Sequence, residues 1–111
     1  IILYKLGNGS NMAKKDIRKQ KGISFNVEKN LQLKAERGIN FDDVIRAIDK
    51  GQLLGIFKYP DYSKRPHQEV MHLKIADYIY VVPYVVEEDG GLFLKTVYPS
   101  RKLKKMYFKE E

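Results

Sequence analysis

Between residues 93 and 108 the chain runs FLKTVYPSRKLKKMYF, which crowds Lys95, Tyr98, Arg101, Lys102, Lys104 and Lys105 into one short stretch. Like charges this close repel one another unless an anion relieves them. Pro99 and Ser100 end an extended run and open a helix, so Arg101 and Lys102 fall in its first turn, where the helix dipole disfavours cations. A bound phosphate reverses that sign, because helix N-terminal amides and an arginine fork converge on one anion. Ser100, Arg101 and Lys102 therefore form a candidate phosphate seat, and a solvated basic face that aids solubility is the alternative. Tyr98 and Tyr107 are stacking or acid groups, or simply aromatic packing at the edge of a small core. His72 is either a half-exposed sheet residue or a proton-transfer group titrating near neutrality. His67 and His72 are five positions apart, so on one strand they face opposite sides and share no metal. The chain has no glycine-rich phosphate loop, no H-E-x-x-H and no serine nucleophile elbow, which sets aside the hydrolases built on those motifs.

The elements that must position these groups are legible from period and punctuation. Asn26 caps a run with Val27, Leu31 and Ala35 at four-residue spacing and Gly38 just beyond it, which predicts a helix of about ten residues. Asn40 with Asp43 makes a capping box ahead of a second stripe, Phe41, Val44, Ile45 and Ile48, closed by Gly51. The period then changes. LLGIFKY and EVMHLKI predict strands joined by the loop PDYSKRPHQ, with Met71, Leu73 and Ile75 on one face and His72 and Lys74 on the other. YIYVVPYVV is apolar on both faces and predicts a central strand in which Pro83 marks a bulge or the strand's end. EEDGG turns it into LFLKTVY. A last helix follows, with Leu103, Met106 and Tyr107 on its buried stripe. The expected fold is α+β: a four-stranded antiparallel meander with two N-terminal helices and one C-terminal helix.

Composition bounds the rest. A chain of 111 residues, 43% of them hydrophobic, fits one domain. Residues 1–11, ending in Ser-Asn before Met12, look like a leader left from expression, with the native domain at 12–111. The absence of cysteine excludes a disulfide framework and thiolate metal sites, and no apolar run reaches the ~18 residues that suggest a membrane span. A cytoplasmic protein with no cofactor and no bound metal is expected. The surplus of 21 Lys and Arg over 14 Asp and Glu leaves +7, and removing Lys5 with the leader leaves 7 − 1 = +6, so attraction to polyanions survives. An exposed sheet edge would permit a homodimer.

FNVEKNLQLKAERGINFDDVIRAI resembles the opening of BrnT-type toxins, and FLKTVYPSRKLKKMY resembles their closing strand, proline, small residue and basic helix. Together the likeness spans most of residues 24 to 108. Arg37 stands where the family has His before Gly38, Tyr98 where it has Arg before Pro99, and Lys104 where its last helix has Glu. The resemblance implies a RelE-like fold and a ribonuclease toxin of a type II toxin–antitoxin pair, with RNA and a small antitoxin protein as partners. It implies metal-independent cleavage, in which the ribose 2′-hydroxyl attacks the adjacent phosphate and the 5′-oxygen leaves. In those terms Lys95 and Arg101 clamp the phosphate, with Ser100, Lys102, Lys105 and Lys74 adding contacts to RNA. His72 or Glu69 takes the 2′ proton, and Tyr98 or a lysine supplies the leaving group's proton. The competing reading is a non-catalytic basic module that binds nucleic acid or an acidic protein.

Overall fold

A computed structural model describes residues 22–59, 61 and 63–109; the leader at 1–11 and the start at Met12 lie outside the described residues. In chain order the elements are β1 (Ile23–Phe25), α1 (Val27–Arg37), α2 (Phe41–Asp49), β2 (Leu53–Lys58), β3 (Gln68–Ile75), β4 (Tyr78–Val86), β5 (Leu92–Leu94), β6 (Tyr98–Pro99) and α3 (Arg101–Phe108). The class is α+β, as expected. The sheet is not the expected four-stranded antiparallel meander: six strands make it, in the order β1-β5-β4-β3-β2 with β6 also on β4, and β1 runs parallel to β5. A strand thus precedes the two helices, and the run LFLKTVY is split into β5 and β6.

The split lies beside Pro83. Between the pairs Tyr84↔Leu94 and Val81↔Tyr98, three residues of the outer chain (95–97) oppose two of β4 (82 and 83), which is a bulge. Pro83 has no N–H for that neighbour, but its carbonyl accepts from the Lys95 N–H at 2.9 Å. The bulge anticipated at Pro83 therefore falls on the adjoining strand, while Pro83 itself stays buried inside β4 rather than ending it.

Helix boundaries follow local capping chemistry. The Asn26 side chain accepts from the Lys29 N–H at 2.8 Å, and Gly38 closes α1 in the left-handed region at φ 73°, a conformation that costs glycine no Cβ clash. Asn40 and Asp43 form the full reciprocal box at the start of α2. Burial on α2 follows its stripe at Phe41, Val44 and Ile48, with Ile45 half-buried. On α1 it does not. Val27 and Leu31 are each 66% exposed, and the inward residues are Asn30 and Leu33. Asn30 sets the rotation: its Oδ1 accepts the Phe41 N–H at 2.7 Å and its Nδ2 donates to Asp42 at 3.2 Å, tying α1 to the first turn of α2. Asn30→Ala orphans a buried amide and is expected to cost about 1–3 kcal/mol. A urea midpoint equal to that of the wild type would show that the latch carries no stability.

The main core lies between α1, α2 and one face of the sheet, where Leu33, Phe41, Val44 and Ile48 meet Met71 and Leu73. Strand alternation then sends His72 and Lys74 to the opposite face, and there they meet α3 through Tyr107 and Phe108. Two helices cover one face and a single helix rests on the other. That helix buries no residue completely: Met106 is 58% and Tyr107 38% exposed, so its expected stripe of Leu103, Met106 and Tyr107 is not a core stripe. Among the described residues no helix is long and apolar enough to cross a membrane.

Candidate nucleic-acid interface

Ser100 caps α3, its Oγ accepting from the Leu103 N–H at 3.1 Å. From this start the helix turns Arg101, Lys104, Lys105 and Phe108 along one side, the i, i+3, i+4, i+7 pattern of a single helical face. Together with Tyr78 and Lys109 they line an open concavity of about 400 Å³, and no carboxylate lines it among the described residues. The Lys104 ammonium lies 4.8 Å from the Tyr78 ring centroid, and Lys74 approaches the Phe108 ring at 5.8 Å. Such interactions are worth about 0.5–1 kcal/mol when exposed, enough to hold the lysines in place and little enough to be exchanged for a phosphate. Tyr78 is also braced edge-on by Tyr80, with centroids 6.0 Å apart.

His72 does not line this concavity but meets α3 through Tyr107. Gly55, with no side chain, is its neighbour across β2, and Phe57 lies against the imidazole with centroids 4.6 Å apart. Its Nδ1 is 2.8 Å from the Tyr107 hydroxyl, and the two rings meet nearly at right angles. Burial disfavours the charged form of each group, so the His72 pKa falls below its ordinary 6.5 and the Tyr107 pKa rises. With Nδ1 accepting from the tyrosine, Nε2 carries the proton; with Nδ1–H donating, Nε2 is a free base.

A depressed histidine pKa makes stability depend on pH. As pH falls through 6.5 the unfolded imidazole takes up a proton, while folded His72 resists until a lower pH. The unfolded state then holds more protons, so stability is greatest above 6.5 and declines as the solution is acidified below it. His72→Gln is expected to lessen that decline between pH 7 and the folded pKa; urea denaturation curves of equal slope against pH for both proteins would refute it.

Of the residues singled out from sequence, Arg101 and Lys105 line the concavity, and His72 and Lys74 stand on the same sheet face as α3. Ser100 is engaged as the cap and Lys102 is exposed on the first turn. Lys95 is exposed in the bulge, Tyr98 is 40% exposed on β6, and neither lines the concavity. Glu69 lies on the other face, where its carboxylate accepts from the hydroxyl of the buried Tyr84 at 2.6 Å; Glu69 and His72 are thus separated by the sheet itself. Tyr78, Phe108 and Lys109 were not anticipated from sequence. The spacing 101-104-105-108 was the available signal for Phe108, whereas Tyr78 arrives only through the docking of α3 on β4. Comparison with protein-family models, curated proteins and solved structures returns no match.

Proposed function

We propose that this protein binds RNA along α3 and acts in the cytoplasm as a RelE-like ribonuclease toxin, paired with a small antitoxin protein. The observation that supports the reading best is the concavity in which Arg101, Lys104, Lys105 and Lys109 converge with no carboxylate among the described residues, on a helix that also contacts a histidine whose pKa burial lowers. Cations placed there stabilise the extra charge of a pentavalent phosphate as the 2′-oxygen attacks. Proton transfer falls to His72: with its Nδ1–H donating to Tyr107, Nε2 takes the 2′ proton, and the imidazolium so formed returns a proton to the departing 5′-oxygen. Lys95, Tyr98 and Glu69 have no part in this version of the site. The antitoxin is an acidic protein that covers the same cations, so expression of this chain alone slows growth and co-expression of the partner restores it.

Incubation of the pure protein with RNA tests the proposal. New ends carrying 2′,3′-cyclic phosphates are expected, with His72→Ala slowing their appearance about 10²–10⁴-fold while RNA affinity is retained. The second reading, a binding module without turnover, is favoured by the enclosure of His72 between Phe57 and Tyr107. It predicts salt-dependent affinity and no new ends.

A further inference from the structure

The face of the sheet turned away from the main core has a small apolar patch of its own. The β3–β4 register pairs Val70 with Pro83, His72 with Val81 and Lys74 with Ile79, so these six side chains share that face. Ile79 is fully buried and Val70 and Val81 nearly so, yet all three stand outside the main hydrophobic cluster. α3 meets this face with eight residues, none of them wholly buried, through Tyr107 on His72, Phe108 against Lys74 and Lys104 on Tyr78. A helix of two turns does not persist in water without such contacts. Of the groups in this contact, His72 alone is of the kind that changes charge near neutrality. Around it, β2 presents Gly55 and Phe57, β4 presents Ile79 and Val81, and β6 adds Tyr98 beyond Val81. Lys74 follows on its own strand, and α3 brings the Tyr107 hydroxyl and charged groups that are all cations. The one carboxylate on these elements, Glu69, is on the other face and bonded to Tyr84. An imidazolium formed under α3 therefore gains no counter-ion, and water surrounds it fully only once the helix has left.

We propose that α3 is a lid released by mild acid: protonation of His72 lifts the helix off the sheet while the core under α1 and α2 stays folded, and the cationic concavity is dismantled with it. The concavity is lined by Tyr78 of β4 and otherwise by α3 and Lys109, so it exists only while the helix is docked. The inference is independent of the RNA reading, since any anion held there is let go when one wall departs. The contact with Tyr107 is not what breaks. Nδ1–H can donate to the hydroxyl while Nε2 takes the proton; what the closed state withholds is solvation of the charge. Burial holds the His72 pKa below 6.5 in the closed form, and undocking returns the imidazole to water and towards its ordinary value. The open state thus binds more protons, so the closed form is favoured above 6.5 and loses ground as pH falls from there towards the closed-state pKa.

Hydrogen exchange of the full chain, read by mass spectrometry at about pH 7.5 and about pH 5.5 and corrected for the intrinsic pH dependence of amide exchange, tests the lid. Protection of α3 is expected to fall between the two by at least about 3-fold and by at most about 10-fold per pH unit, the limit for one proton, while protection of α2 holds. His72→Gln, which takes up no proton, is expected to keep α3 protection level over the same interval. Tyr107→Phe, which removes the hydroxyl but leaves the imidazole covered, is expected to retain the fall; both variants are checked for native circular dichroism. Equal α3 protection at the two pH values in the wild type overturns the inference. So does a fall shared equally by α2, which is loss of the whole fold, and so does a fall that persists in His72→Gln. The wild-type comparison decides the matter even where a variant does not fold.

Discussion

Replacement of Arg101 and Lys105 together by glutamate is expected to lower RNA affinity by at least about 100-fold at ~0.1 M salt, by fluorescence anisotropy, since every phosphate left without its cation keeps the counterions that binding would have released. Both residues are exposed and both line the concavity, so the double variant replaces two attractive charges with two repulsive ones at the same positions. The slope of log affinity against log salt should also become shallower, by about 0.7 for each phosphate of a single strand that is no longer neutralised. Because neither side chain is buried, thermal stability should change little. The same reversal at Lys95, which stands in the bulge outside the concavity, is the informative control. If it weakened binding as much as the α3 reversal, the attraction would belong to net charge and not to this surface.

The largest effect on stability is expected at Phe41. Its side chain is fully buried at the start of α2, its ring lies 5.0 Å from that of Phe25 on β1, and its amide is held by Asn30. One residue thus joins the edge strand, both N-terminal helices and the core. Phe41→Ala removes an aromatic ring from this junction and should cost about 3–5 kcal/mol, a large fraction of the ~5–15 kcal/mol that holds a domain of this kind together. Chemical denaturation gives the number directly. A loss below about 1 kcal/mol would mean that the junction collapses around the missing ring and that the core is far more plastic than its burial suggests.

What was legible in the sequence was chemistry confined to a few neighbouring residues. Asn26, Gly38 and the Asn40–Asp43 box announce the ends of α1 and α2 because a cap is made by residues three or four apart. The alternation of β3 likewise separates Met71 and Leu73 from His72 and Lys74. Hydrophobic spacing misled where a polar group decides the packing: Val27, Leu31 and Ala35 make an apolar row, but Asn30 turns α1 so that the row faces water. On α3 the informative row was the charged one, 101-104-105-108, and an apolar stripe through Leu103, Met106 and Tyr107 drew attention from it. Tyr78 beneath Lys104, Tyr107 against His72 and Glu69 held by Tyr84 all meet across the sheet or between α3 and the sheet. No local pattern encodes them.

The parallel pairing of β1 with β5 sets Ile23 beside Leu92 and Phe25 beside Leu94, so this edge ladder joins segments far apart in the chain. The β3–β4 hairpin, by contrast, closes over the two residues Ala76 and Asp77. Loop closure becomes costlier by about 0.6 kcal/mol for each doubling of the intervening length, and the outermost ladder repays nothing until the hairpins and both helices are in place. A high contact order of this kind slows folding. The nascent polypeptide cannot complete the β1–β5 ladder until residue 94 has left the ribosome, and until then β1 waits without that partner.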